Sequence, residues 1–257
     1  MKKVVIQNRK GENVVLIINE TENQKGLAFV MHGLGGFKEQ LHIQAMAESF
    51  AEKGYTTVRF DTTNSSGESE GKLELATLTN YYEDLEDVIV WARQQKWYRE
   101  PFFLAGHSLG GFCIAWYAIN HLEKVKAIAP ISSFISGKIF LETLGAKESV
   151  EEWKGRGYRE WESSSKPGLI KRLNWSFAVD GLKYDLFARV EQIKVPVLII
   201  VGEQDTDTRQ EHSKILYEKL SGPKYFHVIK GAPHTFREEV HLKELKDVFL
   251  NWIDSLK

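Results

Sequence analysis

The chain has 257 residues, 42 % hydrophobic, 27 % charged and 12 % aromatic, a balance that excludes disordered, collagen-like and coiled-coil architectures. Thirty-four Lys and Arg stand against 35 Asp and Glu, a formal charge of −1 with no basic concentration able to follow a phosphate backbone, so nucleic acid is excluded as a partner.

In chain order, residues 4–6 and 14–18 are apolar runs flanking the turn-rich NRKGEN and predict an antiparallel hairpin. A strand over 26–32, a helix over 40–53, a strand over 55–60 and a helix over 81–95 follow. The next pairs are strand 101–106 with helix 109–121, strand 125–131, then strand 196–202 with helix 211–220 and strand 224–229 with helix 238–256. In the last helix Leu245, Val248, Phe249, Trp252, Ile253 and Leu256 recur at three and four residues and give one apolar face for the sheet. Short β-branched runs alternating with amphipathic stretches are the mark of an α/β fold, here with eight strands in a mostly parallel sheet.

Between 132 and 190 that rhythm breaks. The segment carries Trp153, Tyr158, Trp161, Trp175, Phe177 and Tyr184, too many large rings for a solvated linker, and is expected to cap the carboxyl end of the sheet. The expected organisation is a core of 1–131 and 191–257 with an inserted cap over 132–190. Either the rings wall an apolar substrate pocket, with Trp153, Trp161 and Trp175 in contact with substrate, or they hold the cap to the core. The lone Cys113 lies in the apolar run FCIAWYA and predicts a buried thiol. The apolar run after the two opening lysines stops at Ile6, too short for a signal sequence, and no window reaches a membrane span. A reducing, cytoplasmic setting is therefore expected.

The segment PFFLAGHSLGG runs a buried strand into Gly106-His107-Ser108-Leu109-Gly110 and then into an apolar helix. A serine hydroxyl is a weak nucleophile, and G-x-S-x-G in this context exposes it on a sharp strand-to-helix turn. Its base and orienting acid follow in the order acid, then histidine. VPVLIIVG runs into Gly202-Glu203-Gln204-Asp205, placing Asp205 at a strand's carboxyl end, with Glu203 and Asp207 as alternative acids. His234, in GAPHTF beyond the last strand, is the expected base, with His227 and His241 as rivals. Charge developing on an attacked carbonyl calls for backbone donors: the amide of Leu109 after the serine, and that of Leu34 in the loop His32-Gly33-Leu34-Gly35-Gly36. That loop has neither a phosphate-loop lysine nor G-x-G-x-x-G, and His32 is expected to be structural. His107, beside the nucleophile, is a further candidate for substrate contact.

With HGLGG, GHSLGG, GEQD and GAPHTF in this order, the chain resembles the α/β-hydrolase superfamily over essentially its whole length, and within it the small cinnamoyl and feruloyl esterases. The resemblance implies Ser108 as nucleophile, Asp205 as acid, His234 as base and the Leu34 and Leu109 amides as oxyanion donors. It also implies that Asp61 and Gly67, in RFDTTNSSGESEG, belong to a structural loop. The expectation is a serine carboxylesterase acting on a small-molecule ester through an acyl-enzyme, without cofactor or metal, as a monomer or homodimer. A thioesterase, amidase or carbon–carbon hydrolase on the same residues, or a catalytically silent binding protein, are the alternatives.

Overall fold

The computed structural model describes residues 1–146, 148–163 and 166–256. Its strands, in chain order, are β1 (Lys2–Gln7), β2 (Asn13–Asn19), β3 (Gly26–Met31), β4 (Tyr55–Phe60), β5 (Phe102–His107), β6 (Val125–Ile131), β7 (Tyr158–Glu162), β8 (Ile170–Asn174), β9 (Val197–Gly202) and β10 (Lys224–Ile229). The helices are α1 (Leu41–Glu52), α2 (Leu78–Ala92), α3 (Leu109–Asn120), α4 (Gly137–Gly145), α5 (Val150–Arg156), α6 (Ser176–Gly181), α7 (Gln210–Lys219) and α8 (Glu239–Ser255).

Eight strands form one sheet in the order β1-β2-β4-β3-β5-β6-β9-β10, in which β2 alone runs against the others. The central strands are buried on both faces, which is why they read as unbroken apolar runs. Their alternation still sorts the side chains. Leu27, Phe29 and Met31 of β3 join the cluster formed with α2, α3 and α7, while Ala28 and Val30 join the one formed with α1 and α8. On the second face Phe50, Phe103, Phe249 and Trp252 interlock edge to face and tilted over a floor of alanines. Cys113 is buried in the first cluster. Among the described residues no helix is long and apolar enough to cross a membrane.

One expectation is corrected. Helix α2 starts at Leu78 rather than at 81, because the Thr77 side chain accepts from the Asn80 amide and caps it. The segment between β6 and β9, where the alternation breaks, has elements of its own. It holds α4, α5, the antiparallel pair β7 and β8, and α6. Asp180 of α6 pins it to the start of α2, accepting from the Thr79 amide and hydroxyl at 2.8 Å each.

Candidate active site

Ser108 joins β5 to α3 with φ 54° and ψ −117°, a backbone conformation costly for any residue with a Cβ. Its surroundings hold it there: the Ser108 amide donates to the Ile131 carbonyl at 2.9 Å, and its carbonyl accepts from Phe134 and Phe112. Serine is a favoured N-cap, yet this side chain makes no capping bond, so the hydroxyl is not committed to its own helix. Close approach explains two glycines. A Cβ on Gly33 would lie 2.8 Å from Ser108 Cβ, and one on Gly110 would lie 2.5 Å from the His32 carbonyl oxygen. The HGLGG loop and the elbow therefore touch backbone to backbone. Among the described residues neither the Leu34 nor the Leu109 amide donates to a protein acceptor.

Asp205 follows β9, and His234 lies in the loop between β10 and α8. Asp205 Oδ2 is 2.9 Å from His234 Nδ1. Oδ1 accepts from the Asp207 and Thr208 amides at 2.9 Å each, and the Thr208 hydroxyl donates to Oδ2 at 2.7 Å. Burial opposes ionisation of Asp205, but the His234 imidazole and these hydrogen bonds outweigh it and hold the carboxyl well below the ordinary carboxylate range. Of the alternatives, Glu203 accepts from the Gly231 amide, Asp207 borders the cleft but meets Asp205 by donating its backbone amide, His227 pairs with Glu244, and His241 is buried near the start of α8. Thr208 was missed in the sequence; its signal was the three-residue spacing of a side chain folding back on an aspartate turn.

His107 borders the cleft, but its ring is committed to the protein: Nε2 donates to the His234 carbonyl at 2.8 Å. Burial first, and then the charge of His234, push its pKa down, so it stays neutral. His32 is structural, with Nδ1 donating to the Gly33 carbonyl at 2.7 Å and Nε2 accepting from the Thr62 amide at 3.1 Å. Asp61 organises its loop. It accepts from the Lys38 ammonium and amide and from the Glu68 amide, and a Cβ at Gly67 would lie 2.1 Å from its carboxyl carbon.

Ser108, Leu34, Leu109, His107 and His234 line a cleft of about 260 Å³. Phe134, Ile139, Phe140, Leu144 and Phe177 supply apolar wall, and Trp161, Arg159 and Lys171 come from the hairpin of β7 and β8. The expectation for the tryptophans is corrected for two of three. Trp161 lines the cleft; Trp153 and Trp175 do not. Trp153 is 2 % exposed, meets Trp175 edge to face at 5.0 Å, and donates its indole N–H to the Leu173 carbonyl. Those two rings pack the segment itself.

The family model described as serine aminopeptidase, S33 (Hydrolase_4), matches residues 22–178. Similar proteins include an uncharacterized 31.7 kDa protein of the traX-finO intergenic region of Escherichia coli, 24 % identical over 90 % of this chain and 91 % of that one. The mitochondrial palmitoyl-protein thioesterase ABHD10 of Bos taurus is 22 % identical over 82 % of this chain and 68 % of its own. Among solved structures, Est1E from Butyrivibrio proteoclasticus with ferulic acid bound superposes with a TM-score of 0.82 at 22 % identity, covering 98 % of each chain, and the fold is that of an α/β hydrolase.

Proposed function

The chain belongs to the Hydrolase_4 family of serine aminopeptidase S33 type, a branch of the α/β hydrolases, and from that premise we propose that it is a serine hydrolase cleaving carboxylic esters through an acyl-enzyme. The observation that carries this reading is the 2.9 Å contact of Asp205 with His234 at one cleft that also holds Ser108 on its strained turn.

In this reading the ionised Asp205 accepts from His234 Nδ1–H, which fixes the tautomer that leaves Nε2 with its lone pair. Nε2 takes the Ser108 proton as Oγ bonds to the ester carbon, and the carbonyl electron pair moves onto oxygen. The amides of Leu34 and Leu109 receive that charge, helped by the positive end of α3. The imidazolium returns the proton to the departing alcohol, and water then releases the acid by the same steps. Residues 132–190 act as a cap on the core of 1–131 and 191–257. They supply the apolar and aromatic wall, which suits an aromatic acyl group like that of the ferulic acid held by Est1E.

A thioesterase is the second reading, favoured by the bovine relative's name and by a wall of Phe134, Ile139, Phe140 and Leu144 able to take an acyl chain. Mass spectrometry of the intact protein after exposure to a fluorophosphonate should give one adduct, on Ser108, absent from Ser108→Ala. Parallel kinetics on matched ester, thioester and amide then separate the readings. No adduct on folded protein would sink both, and a thioester rate far above the ester rate would replace the first with the second.

A further inference from the structure

The cap places two cations in the cleft wall, and they differ in how their charge is met. Arg159 is ion-paired with Glu148 and stacks on Trp161 at 4.8 Å and Trp153 at 5.5 Å. Lys171 has no such counterpart. Strand β8 alternates, turning Lys171 and Leu173 inward and Ile170 and Arg172 outward, so Lys171 is only 7 % exposed although it borders the cleft. Its Nζ donates to the Gly35 carbonyl at 2.8 Å, a neutral acceptor. Among the described residues no carboxylate pairs with it. The charged groups acting on it, Lys166 of the same cap and Arg237 of the loop before α8, are themselves cations, and the buried His32 on the far side of the loop is neutral.

An ammonium has three donors, and burying one with a single neutral partner is unfavourable. Burial first, and then Lys166 and Arg237, lower the Lys171 pKa to about 8. The group also has a position that matters chemically. Gly35 follows Leu34, the expected oxyanion donor, and Lys171 lines the same cleft as Leu34 and Ser108.

We propose that Lys171 is the seat for a carboxylate carried by the substrate, which makes the preferred substrates anionic esters with an acid group a short distance from the scissile carbonyl. The inference rests on the serine-esterase reading and deepens it by naming the substrate class. A carboxylate arriving there gains a charge-assisted hydrogen bond and supplies the missing counter-charge, whereas an uncharged substrate leaves the ammonium as it is. Arg159, already balanced by Glu148, offers no such gain.

The carboxylate could lie on either side of the ester, and two substrate pairs distinguish the sides. On the acyl side, the 4-nitrophenyl monoester of adipic acid is compared with 4-nitrophenyl 6-methylheptanoate, a neutral isostere. On the alcohol side, 4-carboxyphenyl butyrate is compared with 4-carbamoylphenyl butyrate. In the intact protein at least one anionic member should exceed its neutral partner in kcat/KM by about tenfold, the scale of one charge-assisted hydrogen bond. Lys171→Gln should bring that ratio near one, and Lys171→Arg should keep most of it. Should the Gln variant not fold, the wild-type ratio serves alone: it should decline as pH rises past about 8, because the ammonium discharges while effects on His234 are common to both esters and cancel.

Equal rates within both pairs in the wild type, or a ratio flat across that pH range, would overturn the inference while leaving the esterase reading intact. An equal loss on charged and neutral esters in Lys171→Gln would also overturn it, by showing that Lys171 merely holds the Gly35 loop. No hydrolysis of any of the four, with no fluorophosphonate adduct on Ser108, would remove the serine-hydrolase reading and this inference together.

Discussion

The cleft takes residues from strand ends of the sheet, called here its floor, and from the segment between β6 and β9, called here its roof, and the two fix their residues by different means. On the floor, backbone does the holding. Ser108 is kept at φ 54° by three main-chain hydrogen bonds, and Asp205 takes two main-chain donors before any side chain is counted. On the roof, side chains hold one another: Trp153 against Trp175, Arg159 over Trp161, Lys171 on a carbonyl of the loop below. Under the proposed mechanism, the groups that must not move by a fraction of an ångström are the ones set by main chain, and the groups proposed to choose the substrate are set by replaceable side chains.

The comparison breaks most visibly at the proposed nucleophile. Ser108→Ala should lower kcat by about 10⁴-fold to 10⁶-fold with little change in melting temperature, because only the hydroxyl is lost from a backbone held by its neighbours. A variant within tenfold of wild type would mean that another residue attacks.

Asp205→Asn should cost about 10⁴-fold in kcat by leaving His234 in the wrong tautomer. It should also change the response to acid. Folding lowers the Asp205 pKa beneath its ordinary 3.8, so the ionised group adds stability that is fully present above that value and fades as pH falls through the lower folded-state value. The melting-temperature deficit of the variant should therefore be complete at neutral pH and shrink below pH 3.8; a deficit independent of pH would show that charge is not its cause.

On the roof, Trp153→Ala should remove about 3–5 kcal/mol by opening a void in the cap, while Trp161→Ala should alter the substrate profile at little cost in stability. Denaturant melts and a panel of acyl esters separate the two. If Trp161→Ala were the more destabilising, the division between packing ring and lining ring would be wrong.

The smallest effect is the most diagnostic of how the floor is supported. Thr208→Val deletes the hydroxyl's hydrogen bond to a buried carboxylate and its 3.4 Å contact with His234 Nδ1, and should lower kcat/KM by about tenfold through the orientation of the Asp205–His234 pair. Fluorophosphonate labelling of Ser108 should slow in parallel, which a loss confined to substrate binding would not produce.

Much of the floor was legible from sequence, because its residues obey local rules: a strand that must end, a turn that only small neighbours permit, and an acid and a histidine each just beyond a later strand. The contacts made at Gly33 and Gly110, by contrast, show only in the fold, where a Cβ at either would meet the facing segment. The roof was opaque for equally physical reasons. β7 reads YREWE and β8 reads IKRLN, short strands crowded with charge, whose alternation is read correctly only once it is known which face meets the cleft. Lys171 resembles any solvated lysine until the hairpin turns it inward. The six rings of the segment announced that it packs, but not which of them pack against one another and which against a ligand.

The hydrogen bond from His107 to the His234 carbonyl has a consequence of a metrological kind. The proposed base arrives on a loop after β10, three strands away in the sheet from the β5 end that carries the proposed nucleophile, so its position would ordinarily accumulate the error of every intervening strand. Because the carbonyl of His234 is gauged directly against the residue next to Ser108, that chain of tolerances collapses to one bond of 2.8 Å. The two ends of the proposed proton path share a single datum, and breathing of the sheet edge displaces them together instead of apart.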